Sequence, residues 1–354
     1  MFSENSRISD RQLARLAVLD WFGKGALLLQ EMTRAVSVRQ FFLYLLAGFL
    51  LVFFYLCLLC GLSGRLRRDG DIQRKWGKLG NGFLAATLLT YNFMNLVYIL
   101  RLFGEIGNRF VLPEVSGEVL MLMAALAGAA AAFGGFESGA RTASVIYPFV
   151  IWPLGLLILL SAFTVRTEYL GPGTAVLDAS ILPVAGSVFL VFAGAGSFLF
   201  AAPNVEGKPC AALKTAALRT FACLGALFLV MTGAFGEGGL KFMAWPVIAL
   251  MSSAEIPGVF FQRWDVIFVG LLLMEMFISA GTNVYNLTDC GRRLWKKGGK
   301  GAAALWAGAG FLCALWCGTY ERAMNLYLAV NGAAAVVLTL LAVIFWFAER
   351  SRQR

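Results

Sequence analysis

The sequence predicts an all-α polytopic membrane protein: one domain of ten transmembrane helices. Three observations carry that prediction. Hydrophobic residues make up 59% of the 354 residues and charged residues only 14%, with a mean hydropathy of +0.75; soluble domains run near ~45–50% apolar and ~25% charged. Ten apolar runs reach the ~20 residues that a helix needs to cross a bilayer. The strongly basic loops between those runs all fall on one side of a ten-span count.

The spans cover roughly residues 14–36, 39–63, 80–105, 116–135, 142–164, 180–202, 212–235, 262–288, 301–319 and 323–348. A further apolar patch, 240–254, is too short to span and holds Pro246, so it reads as a half-helix on or dipping into the membrane surface. The opening MFSENSRISDRQLARL is polar and amphipathic and has no cleavable signal pattern. The loop after span 2 carries Arg65, Arg67, Arg68, Arg74, Lys75 and Lys78, and the loop after span 8 carries Arg292, Arg293, Lys296, Lys297 and Lys300. Lys208 follows span 6, and Arg350, Arg352 and Arg354 lie in the tail. The alternate loops are poorer in net positive charge, which puts both termini in the cytoplasm. The net charge of +10 is thus topogenic and does not imply a nucleic-acid partner.

Histidine is absent, which removes His-based triads, His-ligated zinc and His-ligated haem in one step. No catalytic constellation, metal site or cofactor motif is expected, and the chain does not read as an enzyme. The seven cysteines lie mostly inside apolar segments, as Cys57, Cys60, Cys223, Cys313 and Cys317 do, and read as small buried hydrophobes.

Ten spans divide into repeats of about 10–164 and 180–348, and an odd number of spans in each half gives them opposite topology. Spans 1 and 6 then correspond. Span 1 is interrupted at Gly23-Lys24-Gly25 and span 6 at Gly194-Ala195-Gly196. Paired interruptions of this kind point to a transporter site, because backbone groups freed in mid-membrane can hold a carboxylate or an ion. The alternative is close packing, which glycine serves in membrane helices generally; the chain has 39 glycines.

Several stretches resemble the spore germination permease family, the B-type subunits of endospore germinant receptors, within the amino acid–polyamine–organocation superfamily. ISDRQLARL followed by GKGALLL resembles the family's opening helix. FESGARTASVIYPF (136–149) resembles its segment before span 5, and WPVIALMSSAEIPGVFFQRWDVIFV (245–269) its Trp-Pro, Pro-Gly and Arg-x-Asp/Glu signature. The resemblance covers essentially the whole chain. It implies the five-plus-five inverted-repeat, LeuT-like fold, with substrate held at the breaks of helices 1 and 6. It also implies nutrient sensing in the spore inner membrane beside A- and C-type subunits. A small nutrient, an amino acid first, is the implied ligand. The reading from a different class is a stand-alone proton-coupled amino-acid transporter.

The candidate substrate site is accordingly Gly23, Lys24, Gly25 and Ala26 on helix 1 and Ala193, Gly194, Ala195, Gly196 and Ser197 on helix 6. Tyr91 and Asn95, sharing a face of span 3, are placed to close over a ligand or to make interhelical hydrogen bonds. Three residues depart from the family pattern. Lys24 stands where the family has Thr, and Glu275 lies in a mid-helix stretch that is apolar in the family; a third departure is Gln30 in place of Pro. A charge at the bilayer centre costs at least about 2.5–3.5 kcal/mol, so it is paired or functional. The preferred reading pairs Lys24 with Glu275, the ammonium replacing the cation of sodium-coupled relatives and coupling the site to protons. Asp20, four residues before Lys24, is the competing partner if helix 1 runs unbroken, and snorkelling is the third option.

Overall fold

The computed structural model describes residues 7–33, 38–69, 72–170, 181–198, 205–252, 264–295 and 299–351. The helices are α1 (Asp10–Thr33), α2 (Val38–Asp69), α3 (Ile72–Ile106), α4 (Gly117–Phe133), α5 (Gly135–Ser161) and α6 (Ile181–Ala193). They continue as α7 (Pro209–Phe242), α8 (Pro246–Ser252), α9 (Trp264–Trp295), α10 (Lys300–Cys317) and α11 (Tyr320–Ser351). Each predicted span meets one of these helices, spans 8 to 10 being α9 to α11. Seven of them are long and apolar enough to cross a membrane by length and composition, and α4 and α6 are shorter apolar helices.

The start of α1 is written in Ser9-Asp10-Arg11-Gln12. The Gln12 N–H donates to Ser9 Oγ (3.2 Å) and the Ser9 N–H to Gln12 Oε1 (2.9 Å), a reciprocal capping box. Just before it, β1 (Ile8–Ser9) pairs in parallel with β2 (Val205–Glu206), so the entry to α1 is tied to the connection between α6 and α7. Gly207 follows with φ +101°, and a Cβ there would come 3.1 Å from the Asp10 carboxylate.

Helix α1 then runs unbroken through Gly23-Lys24-Gly25. The predicted interruption of span 1 is therefore absent, and both glycines serve close approach instead. A Cβ at Gly23 would lie 2.8 Å from Glu275 Oε2, and one at Gly25 2.7 Å from Leu224 Cδ1. The interruption of span 6 is present: α6 tightens into a 3₁₀ turn over Gly194–Ser197. In the second half, α7 kinks at Gly236 (φ 64°, ψ 173°), where span 7 was expected to end. The apolar patch beyond it forms α8, with Pro246 as its first residue. Pro246, Val247, Ile248, Leu250 and Met251 are buried, so α8 packs into the protein rather than lying on its outside.

Helix α5 begins earlier than the sequence suggested. Gly135 (φ +77°) makes the turn from α4, and residues 136–141 form the first turns of α5. The Glu137–Arg141 pair at i,i+4 spans those turns, and its two charges neutralise one another.

Helices α3 and α9 form the inside of the bundle. Their most apolar windows are 61% and 56% buried, against 22% for α5 and 28% for α10. The large exposed side chains, among them Phe54, Phe149, Trp152, Leu312 and Trp316, face outward from α2, α5 and α10, where lipid is their natural solvent. Helices α2 and α7 are joined by an antiparallel aromatic seam. Phe41 stacks on Phe228 (3.6 Å), Phe49 on Phe221 (4.2 Å), and Lys214 Nζ lies over the Phe53 ring (5.2 Å). Cys317 is buried as expected and Cys290 is buried as well; Cys57, Cys60, Cys223 and Cys313 are half-buried, which modifies the uniform reading of these thiols.

The α3–α4 crossing depends on one glycine. A Cβ at Gly104 would come 2.6 Å from Met121 Cγ and 2.7 Å from the Gly117 carbonyl oxygen. The backbone oxygen cannot rotate away, so Gly104→Ala is expected to destabilise the protein by about 1–3 kcal/mol, read as a lowered thermal midpoint in detergent.

Candidate functional site

The polar centre of the molecule is built on one face of α1. In a continuous helix Asp20, Gly23 and Lys24 share a face, and the ion pair follows from that: Lys24 Nζ donates to Asp20 Oδ2 at 2.7 Å. Both side chains are almost fully buried, 3% exposed for Lys24 and 7% for Asp20. Helix α9 supplies the rest. Ser279 Oγ donates a short hydrogen bond to Asp20 Oδ1, and Asn283 Nδ2 donates to the Ser279 carbonyl at 2.7 Å. From α3, Asn95 Nδ2 donates to Asn283 Oδ1 at 3.0 Å. One carboxylate thus anchors a line of groups from α1 through α9 to α3.

The preferred pairing of Lys24 with Glu275 is corrected by this geometry. Because α1 is unbroken, the i,i+4 partner Asp20 is in reach and takes the ammonium. Glu275 sits one turn before Ser279, is 1% exposed, and neither of its carboxylate oxygens has a hydrogen-bond partner. It leans on Gly23, where the missing side chain makes room for it. Asp20, Gly23, Lys24, Glu275 and Ser279 enclose, with Ile99 and Leu102, a cavity of about 10 Å³, space for roughly one water molecule.

A second set of polar groups surrounds the 3₁₀ turn after α6. The Tyr91 hydroxyl donates to the Leu190 carbonyl (3.0 Å) and the Tyr55 hydroxyl to the Ala193 carbonyl (3.2 Å). Gly194 and Gly196 permit this approach, since Cβ atoms there would come 3.3 Å from the Tyr91 ring and 3.0 Å from the Tyr55 hydroxyl. Ser197 and Asn92 exchange hydrogen bonds of 2.9 and 3.2 Å, and Asn286 Nδ2 donates to Asn92 Oδ1 at 3.2 Å. Gly23, Lys24, Tyr91, Asn95 and Gly194–Ser197 are all buried, and Tyr91 and Asn95 make the interhelical hydrogen bonds that were one of their two readings. The backbone groups of Gly23–Ala26, read as free at a break, lie inside a continuous helix.

The sequence reading missed the groups contributed by α11. Tyr327 and Asn331 are both 0% exposed. The Tyr327 hydroxyl sits beside Tyr91 and Asn331 without hydrogen-bond geometry to either, and neither end of the Asn331 amide has a partner. The two polar sets meet on α9, where Asn283 of the first and Asn286 of the second lie one turn apart. A signal was available: Tyr327 and Asn331 are one turn apart inside an otherwise apolar run, and a polar pair inside a span faces the bundle. Asn283 and Asn286, near the end of span 8, belong to the same network. Pro257, Gly258 and Arg263 of the 245–269 motif lie outside the described residues, as do Lys296, Lys297, Arg352 and Arg354 and the basic side chains between 62 and 79.

The family profile described as "Spore germination protein" matches residues 7–322, most of the chain and all of the polar centre except Tyr327 and Asn331. The chain belongs to this family. Among curated relatives, spore germination protein YndE of Bacillus subtilis (strain 168) is 23% identical over 292 residues, covering 79% of this chain and 78% of YndE. Spore germination protein B2 of the same organism is 23% identical over 189 residues, covering 52% of this chain and 51% of B2. Solved structures with the same fold include Mhp1, a nucleobase-cation-symport-1 family transporter in a closed conformation with bromovinylhydantoin bound. It has a TM-score of 0.62 at 15% identity and covers 94% of this chain and 78% of its own. A Na⁺-coupled sialic acid symporter in a substrate-bound outward-open state gives a TM-score of 0.58 at 11% identity, covering 95% of this chain and 77% of its own. The spore germination protein is thus an integral membrane protein with a LeuT-like transporter fold.

Proposed function

We infer that the chain is the permease-like subunit of a germinant receptor, and that it binds a small nutrient, an amino acid, within the membrane to trigger spore germination. In this reading ten helices cross the spore inner membrane as two five-helix repeats, both termini are cytoplasmic, and A- and C-type subunits are the partners. The observation that carries it is the buried polar centre shared by α1, α3, the turn after α6, α9 and α11. Fully satisfied polar groups in a bundle can be structural, whereas buried groups with unused hydrogen-bonding capacity suit a ligand. A zwitterion complements them: Lys24, Tyr327 and Asn331 Nδ2 offer donors to a carboxylate, and Asp20 and Asn331 Oδ1 offer acceptors to an ammonium.

One observation favours the second reading, a self-sufficient proton-coupled amino-acid transporter. Glu275 is a buried carboxyl facing α1 without a fixed partner, in the place where a coupling proton would be exchanged. Adjacent A- and C-type genes favour the receptor, and their absence the transporter.

The test is ligand-dependent thermal stabilisation of the purified full chain against an amino-acid panel, repeated on Lys24→Thr. A cognate amino acid at a hundred-fold excess over its Kd stabilises by about 2.7 kcal/mol, and Lys24→Thr loses most of that shift. No stabilisation by any amino acid, sugar or nucleoside refutes the ligand-binding reading.

A further inference from the structure

Two cavities meet at Tyr285. The first, of about 320 Å³, follows α9 from Met274 through Phe277 and Gly281 to Tyr285, with Gly139 and Thr142 of α5 across from it. The eleven helical steps from Met274 to Tyr285 make it roughly 16 Å long, about half of the ~30 Å hydrocarbon thickness and so the depth of one leaflet. Its rim residues Ala131, Ser138, Thr142 and Met274 are exposed, so it opens to the outside of the bundle, where this protein meets lipid. The second cavity, of about 200 Å³, is lined by Tyr285, Thr288, Asp289, Arg292 and Lys300. Asp289 is the carboxylate of this lobe and is engaged by both Arg292 and Arg293. Arg292 remains 63% exposed and Lys300 is exposed, which leaves the lobe net positive.

An apolar slot one leaflet deep, joined at a tyrosine to a cationic lobe with a hydroxyl, has the shape and charge of a diacyl phosphate. We propose that the two cavities together hold one anionic phospholipid, its phosphate on Arg292, Lys300 and Thr288 and one acyl chain in the slot between α5 and α9. Tyr285, braced by Phe136 at 5.6 Å between ring centroids, stands at the junction of head and tail. Aromatic side chains with one polar end suit that depth, and basic pockets between helices bind anionic head groups. The apolar slot does not suit a zwitterionic nutrient, so this site is separate from the polar centre and its lipid contacts α9, the helix that carries Glu275 and Ser279.

The full chain is reconstituted in nanodiscs of phosphatidylcholine alone or mixed with phosphatidylglycerol, and retained lipid is counted by native mass spectrometry beside the thermal midpoint. The wild type is expected to retain one phosphatidylglycerol per chain and to melt higher in the mixed discs. Arg292→Gln with Lys300→Gln weakens that preference roughly five-fold for each cation removed. Gly139→Phe fills the slot and expels the lipid, whereas Gly139→Ala, whose Cβ meets nothing within 4 Å, keeps it and controls for folding. Equal retention of phosphatidylcholine and phosphatidylglycerol by the wild type overturns the proposal, as does an undiminished preference in the double variant. Equal stabilisation by inorganic phosphate or glycerophosphate also overturns it, because the lobe then binds a free anion and the slot is irrelevant.

Discussion

Asp20→Asn is expected to lower the stability of the folded protein by about 3–5 kcal/mol, the magnitude for removing one partner of a buried ion pair. Asp20 compensates Lys24, which has almost no contact with solvent, and it accepts the Ser279 hydroxyl. The neutral amide leaves the ammonium buried without a counter-charge. Removing both charges avoids that penalty, so Asp20→Asn combined with Lys24→Met should recover most of the loss. Chemical denaturation of the purified variants in one detergent checks the order. If Asp20→Asn and the double variant lose the same amount, the pair is not the stabilising unit the geometry describes.

Glu275 behaves in the opposite sense. Its carboxyl is buried and has no hydrogen-bond partner, a situation that costs about 1–3 kcal/mol per group. Glu275→Met, of similar length and without the polar atoms, is therefore expected to raise stability by about that amount. If Glu275 exchanges the coupling proton, the gain in stability comes with a loss of function, as it does at sites kept for activity rather than stability. The affinity of the wild type for its cognate amino acid then depends on pH, and Glu275→Gln, which cannot ionise, gives a flat profile. A pH profile in Glu275→Gln identical to the wild type removes Glu275 from the coupling. Two carboxyl groups around one small cavity thus carry opposite predictions, because one is paired and the other is not.

Much of the fold was legible because hydrophobic length is a local property. Each apolar run met a helix, and Gly194-Ala195-Gly196 marked the change of winding in α6. The matching reading of Gly23-Lys24-Gly25 failed for a physical reason: glycine weakens a helix, but it also lets a neighbour approach, and here Glu275 and Leu224 occupy the space. The Asp20–Lys24 spacing was visible in the sequence and became decisive only once the helix was known to be continuous. Glu137 and Arg141 stand at i,i+4 spacing in the sequence, and the ion pair that this spacing suits forms at the start of α5. Tyr327 and Asn331 were hidden by a different effect. Their one-turn spacing marks an inward face of α11, but which helices that face meets depends on the packing of several helices.

The pairing of Ile8–Ser9 with Val205–Glu206 has a mechanical meaning. It fastens the entry to α1 to the link between α6 and α7. While those hydrogen bonds hold, α1 cannot tilt at this end without drawing the α6–α7 link along, so the two move here as a single lever.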